Sequence, residues 1–229
     1  SISREDQDAF AFRSHMKAAA ARDAGRLAQE IIPVNIPRRK QDDLIFEHDE
    51  FIKPDTTVEI LAKLRPAFRK EGGSVTAGNS SGLNDGSAAL LLANESGLTS
   101  SGLTPLAQII SSAVVGVEPR IMGIGPVRAS EMALKKAGIT FNDLDVIELN
   151  EAFSAQALAC MRAWGLDDDD SRINPNGGGI SIGHPLGVTG SRILLSAARQ
   201  LERTGGKYGL VTLCIGVGQG YAVVIKHTQ

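Results

Sequence analysis

Three short stretches of the chain each hold one side chain able to do chemistry. His184 stands between Gly183 and Pro185 in N-P-N-G-G-G-I-S-I-G-H-P-L-G-V-T-G, residues 174–190. Six of those 17 residues are glycine. That is too many for a helix or strand interior, because glycine loses the most backbone freedom on ordering. The stretch predicts a shaped loop whose backbone approaches something closely. A histidine fixed there suits general-base work near neutral pH; a loop histidine with satisfied hydrogen bonds is the plainer alternative. Cys214 opens C-I-G-V-G-Q-G. Most free cysteines are small buried hydrophobes. Here Gly216, Gly218 and Gly220 clear side chains from around the thiol and leave N–H groups free to face a thiolate or an oxyanion. Asn150, in N-E-A-F, is either a helix N-cap or an amide that holds a water. His15, His48 and His227 have weaker claims, and Cys160 lies in a helical stretch and reads as core. The G-G-G-I-S-I-G run fits neither the dinucleotide-binding fingerprint nor a P-loop.

These groups need elements to position them. From residue 105 the pattern predicts a strand (105–117) and a helix (127–137) with Pro126 at its first position and Gly138 just past its end. A strand follows at 145–149, and a helix opened by N-E-A-F runs to about residue 164. After the glycine-rich loop, Ile193, Leu194, Ala197, Ala198 and Leu201 make one apolar face of a helix over 191–203. Strands at 208–213 and 221–227 form a hairpin around the 214–220 loop. Such mixed alternation predicts an α/β layered domain. Upstream, Ser3 and Asp6 have capping-box spacing and open an alanine-rich helix, which breaks at Gly25 and continues over 27–30. Residues 34–36 are extended, and 38–53 read as a polar surface excursion. T-T-V-E at 56–59 opens a short helix that ends at Pro66. Residues 75–86 form a second loop rich in Gly, Asn and Ser. The apolar run at 88–93 predicts a buried strand covered on both faces. The four aspartates at 167–170 read as a solvated loop.

At 229 residues the chain makes one or two domains. Its core is aliphatic, since aromatics are only 4% of the residues. The net charge of −2 and the lack of a basic run beyond Arg38, Arg39 and Lys40 argue against nucleic-acid binding. No stretch reaches the roughly 18 apolar residues of a membrane helix. Two cysteines are too few for a metal centre or a disulfide framework, so no metal is expected. A reducing, cytoplasmic setting follows as the default. The chain does not start with methionine, and no leader is visible.

Taken in order, N-E-A-F, N-P-N-G-G-G-I-S-I-G-H-P-L-G and C-I-G-V-G-Q-G resemble the motifs of the thiolases, acyl-CoA acyltransferases that make or cleave 3-ketoacyl-CoA. S-R-E-D-Q-D-A-F-A and V-T-A-G-N-S-S-G-L-N-D-G extend the resemblance over essentially the whole chain. Within the family it is similar to acetyl-CoA acetyltransferases and 3-ketoacyl-CoA thiolases, the 3-oxoadipyl-CoA type among them. The resemblance implies an α/β fold with layers α-β-α-β-α, of which this chain is the C-terminal portion. Residues 1–74 would belong to the coenzyme A-binding loop domain, 75–104 would end the N-terminal catalytic domain, and 105–229 would be the C-terminal catalytic domain. His184 would take a proton from a nucleophilic cysteine and serve a first oxyanion hole, in which Asn150 holds a water. Cys214 would move the α-carbon proton, and the N–H of Gly216 would serve a second oxyanion hole. Ser81 would lie beside the pantetheine of coenzyme A, with Phe68 and Phe153 lining its tunnel. Coenzyme A and acyl-CoA are implied as substrates, with no further cofactor and a homodimer or homotetramer as the assembly. The family's nucleophilic cysteine precedes the S-R-E-D segment, so it would come from an N-terminal thiolase segment outside these residues. Val217 departs from the usual glycine, and Gly179 and Ser181 from common alanines. A non-catalytic thiolase-fold fragment or acyl-CoA-binding module is the alternative. Cys214 speaks against a third reading, a condensing enzyme of the ketoacyl-synthase kind.

Overall fold

Four strands form the frame in a computed structural model, which describes residues 2–228. They are β3 (Ala107–Gly116), β4 (Val146–Leu149), β5 (Tyr208–Ile215) and β6 (Gln219–His227), in the sheet order β3-β6-β5-β4. β4 runs parallel to β5, and the other pairs are antiparallel. Ser1 and Gln229, the end points of the outer expected domains, lie outside the described residues.

Side-chain alternation splits the sheet between two cores. Ile147, Leu149, Leu210, Ala222 and Val224 pack with α4 (Gly125–Ala137) and α5 (Ser154–Ala163). Val146, Val211, Val223 and Ile225 pack on the other face with Ile193, Ala197 and Leu201 of α7 (Thr189–Thr204). A sheet covered on both faces explains why β4 is buried at every position. α4 starts against the hairpin: a Cβ on Gly220 would fall 2.1 Å from the carbonyl of Gly125, so only glycine lets the two backbones meet.

The terminal signals worked where their rules are local. Ser3 caps α1 (Arg4–Asp23) with Asp6 completing the box, and Gly138 and Gly205 end α4 and α7 in the left-handed region. A single 3-10 turn, Leu27–Gln29, follows Gly25 as expected.

Several expectations need correction. Residues 88–93 are not a buried strand; they form no regular structure and are largely exposed, with Leu91 at 81% and Leu92 at 71%. A strand needs a neighbour for its N–H and C=O groups, and the described residues pair none with it. A short helix, α3 (Glu95–Ser101), follows instead. The 38–53 excursion contains β2 (Leu44–Phe46), paired antiparallel with β1 (Val34–Ile36) in an exposed ribbon. The helix after T-T-V-E, α2 (Val58–Ala62), is capped by Thr57, which accepts from the N–H of Ile60, and it stops before Leu64. The glycine-rich loop closes one helical turn, α6 (Gly179–Ile182). The aspartate run is tied down, because Asp168 pairs with Arg162 and Asp170 with Arg172.

Candidate active site

Asn150 is the residue after β4. Its N–H donates to the Thr212 carbonyl of β5 at 3.0 Å, which carries the parallel ladder one step past the strand. The helix after N-E-A-F begins only at Ser154, with Phe153 at its N-cap, so Asn150 is not the cap. Its side chain is free to face elsewhere. Cys214 comes two residues after Thr212, inside β5 and paired with Gly220, rather than in the loop. Both groups therefore stand at the same end of two adjacent parallel strands.

His184 reaches that end from the glycine-rich loop. Its ring Nε2 lies 3.2 Å from Nδ2 of Asn150, and its Nδ1 lies 2.7 Å from Oγ1 of Thr189. Its backbone N–H donates to the Gly82 carbonyl at 3.0 Å, so the two glycine-rich loops touch. Gly183 makes the approach possible: its φ is +101°, and a Cβ there would meet Oδ1 of Asn84 at 2.4 Å. His184, Asn150 and Cys214 are all buried. Among the described residues no hydrogen bond links Cys214 to either of the others.

The 75–86 loop also backs the N-E-A-F segment. Ser81 donates its N–H to the Ala152 carbonyl at 3.0 Å, and Ser154 donates to that of Asn79 at 2.9 Å. Phe153 in turn meets Phe68 edge to face, with centroids 6.3 Å apart. A cleft of about 210 Å³ opens beside Phe68 and Arg69. Ser81, Phe68 and Phe153 thus gather on the flank of the Asn150–His184 pair. Gly216 sits apart, exposed at the tip of the β5–β6 hairpin, next to Val217 with φ +62°.

Glu151 was missed by sequence reasoning. Its carboxylate accepts from Ser14 Oγ at 2.6 Å, Asn174 Nδ2 at 2.7 Å and the Ile180 N–H at 3.2 Å, all buried. It pins α1, α6 and the loop before α6 to the residue next to Asn150. A Cβ on Gly178 would strike this carboxylate at 2.3 Å. The sequence itself shows only an acid directly after Asn150 and three glycines downstream at 177–179.

Burial, with Arg192 nearby, holds the His184 imidazolium below the ordinary histidine range, so the ring is a neutral acceptor at physiological pH. Burial pushes the Cys214 thiol up. It pushes Cys160 up to about 12; that thiol lies fully inside the α4–α5 core, as expected, and contacts Gln156 and the Gly123 carbonyl. His15 is a core histidine that accepts the Lys53 N–H at Nδ1, and burial lowers it to about 4. Among the described residues no group of three metal-ligating side chains converges. The arrangement offers an uncharged base beside an amide, buried at a strand end.

The family model for the thiolase C-terminal domain matches residues 103–227, more than half of the chain. The chain belongs to the thiolase family. The model for the thiolase N-terminal domain matches residues 1–96. The chain is 53% identical over 226 residues to a β-ketoadipyl-CoA thiolase of Acinetobacter baylyi and 52% identical to the 3-oxoadipyl-CoA/3-oxo-5,6-dehydrosuberyl-CoA thiolase of Escherichia coli. Each match covers 99% of this thiolase chain and 56% of the relative, so the chain spans little more than half their length. Among solved structures, the acetyl-CoA acetyltransferase of Bacillus anthracis superposes with a TM-score of 0.95 at 46% identity, covering 99% of this chain and 57% of that one. Human mitochondrial 3-ketoacyl-CoA thiolase superposes at 0.94 with 46% identity, covering 100% and 56%. The expected thiolase fold is thus present.

Proposed function

We propose that these residues form the base-bearing part of an acyl-CoA acyltransferase that makes or cleaves 3-ketoacyl-CoA by ping-pong acyl transfer to coenzyme A. The observation that carries the reading is the buried contact between His184 and Asn150 at a strand end. A neutral imidazole there takes a thiol proton and then donates toward an oxyanion, while the Asn150 amide holds a water for the same charge. Cys214 exchanges the α-carbon proton. The N–H of Gly216 faces the second oxyanion. Ser81, Phe68 and Phe153 receive the pantetheine arm, and the cleft beside Phe68 supports that role.

The nucleophilic cysteine comes from a thiolase segment N-terminal to these residues. The chain has two cysteines, and Cys160, with its thiol pushed up to about 12 in a sealed core, is unfit for attack. A boundary near residue 104 is supported by family models that end at 96 and begin at 103. Relatives named β-ketoadipyl-CoA thiolase make a 3-ketoacyl-CoA with a distal carboxylate a substrate to test beside acetoacetyl-CoA. Homodimeric or homotetrameric assembly and a cytoplasmic setting complete the reading. No helix of the described residues is long and apolar enough to cross a membrane.

Thiolysis of acetoacetyl-CoA tests the proposal. The 229 residues are assayed alone and joined to the N-terminal portion of the E. coli relative, with circular dichroism to verify folding. Turnover is expected only in the joined chain, and His184→Ala should lower its kcat by about 10²–10⁴. Turnover by the 229 residues alone would overturn the shared-site reading, as would a loss below about tenfold in the His184 variant.

A further inference from the structure

Counting protons around His184 leads to a residue that neither its motif nor its proposed role singles out. Thr189 is the first residue of α7 and is completely buried. Its hydroxyl oxygen lies 3.0 Å from the Pro185 carbonyl and 2.7 Å from Nδ1 of His184. A threonine hydroxyl has one proton to give and two lone pairs. The Pro185 carbonyl can only accept, so it takes the hydroxyl proton. Nδ1 must then bring its own. A neutral imidazole has one N–H, so Nε2 is left bare. At the far end of the ring, Nδ2 of Asn150 has only protons to offer to Nε2. With Nδ2 of Asn150 turned to the ring, the contact on the opposite side is compatible with the same tautomer.

We infer that Thr189 is a positioning residue that locks His184 as the Nδ1–H tautomer, through a relay from Nδ1–H to the Thr189 hydroxyl and on to the Pro185 carbonyl.

The local backbone is built for this. Pro185 starts the turn into α7, and the N–H groups of Val188 and Thr189 both donate to its carbonyl, at 2.8 and 3.0 Å. That carbonyl is fixed before the hydroxyl reaches it. In many enzymes the group behind a catalytic histidine is a carboxylate, which orients the ring and also makes it more basic. A hydroxyl orients the ring and adds no charge. It accepts from Nδ1–H equally well before and after Nε2 gains a proton, so the contact survives a proton-transfer cycle.

The use of a bare Nε2 as a base rests on the acyl-transfer reading above. The tautomer does not, and its test involves no turnover. The joined chain is labelled with ¹⁵N-histidine, and long-range ¹H–¹⁵N correlation spectra are recorded at about pH 8, above the ordinary histidine range. The His184 signals are identified by their absence in His184→Gln. The expected wild-type pattern is a protonated-type shift at Nδ1 and an unprotonated-type shift at Nε2. Thr189→Ser should keep that pattern. Thr189→Val, equal in shape but without the hydroxyl, should lose it. The inference is overturned by an Nε2–H ring in the wild type, which would mean the Asn150 amide is turned over and the hydroxyl donates to Nδ1. It is equally overturned by a folded Thr189→Val with the tautomer unchanged. Should Thr189→Val not fold, the wild-type and Thr189→Ser spectra decide the matter, because an Nε2–H ring in either one contradicts the relay. If the joined enzyme proves inactive while His184 is Nδ1–H, the acyl-transfer reading falls and the relay stands.

Discussion

Glu148 is wholly buried on β4, two residues before Asn150, with Arg192 of α7 at 3.7 Å. Burial dominates this carboxyl and pushes its pKa up to about 8, with Arg192 opposing the shift and Glu30 and Glu151 adding to it. The folded form therefore binds this proton more tightly than the unfolded chain does. Between the ordinary carboxylate range and about pH 8, stability falls as the pH rises. Glu148→Gln removes the titration and keeps the shape. The melting temperature of the wild type should fall relative to that variant from about pH 5 to pH 8, as followed by circular dichroism. A constant gap across that window would show that Glu148 is not the titrating group. His15, lowered to about 4, acts in the opposite sense: its neutral form supports the fold above the ordinary histidine range, and that support is lost on acidification.

The β5–β6 hairpin carries a cost that its sequence hinted at. Val217, where the thiolase resemblance implied a glycine, sits at φ +62° and is 81% exposed. A β-branched residue in the left-handed region costs roughly 1–2 kcal/mol, and the exposed side chain gains little to offset it. Val217→Gly should therefore raise stability by about 1 kcal/mol in urea unfolding, after allowing for the looser unfolded chain. An unchanged or lower midpoint would mean that the valine packs against something in solution. Elements set by local rules were legible in advance: Ser3 with Asp6, Pro126 with Gly138, and the α7 stripe all announce themselves within a turn or two. β2 and residues 88–93 were not, because a strand exists only through its partner and no short window reveals one. The site divides the same way. Glycine density exposed His184, and a strand end exposed Asn150. Glu151 acts by binding Ser14, 137 positions away, and Asn84 by facing Gly183 across two loops. Such roles are decided by tertiary contact, which spacing does not encode.

Apolar surface is distributed unevenly over the molecule. The β1–β2 ribbon shows Val34, Ile36, Leu44, Ile45 and Phe46, and the segment before α3 shows Leu91 and Leu92. Clusters of this kind are rare on monomers that remain monomers. The chain by itself should self-associate at micromolar concentration and bind a hydrophobic dye; a single monomeric species in sedimentation velocity over a wide dilution range would refute this. The parallel pair β4–β5 has a different consequence, for the order of assembly. β5 and β6 are joined by a three-residue turn, Gly216, Val217 and Gly218, so they can pair early at little loop-closure cost. β4 can join only after α5, α6 and α7 have brought its edge round to β5, and long crossovers of that kind are slow. Asn150, His184 and Cys214 come together only when that step is complete. The end of the sheet that holds this cluster is thus among the last parts to form, and a chain caught partway in folding has its hairpin but not the His184–Asn150 contact.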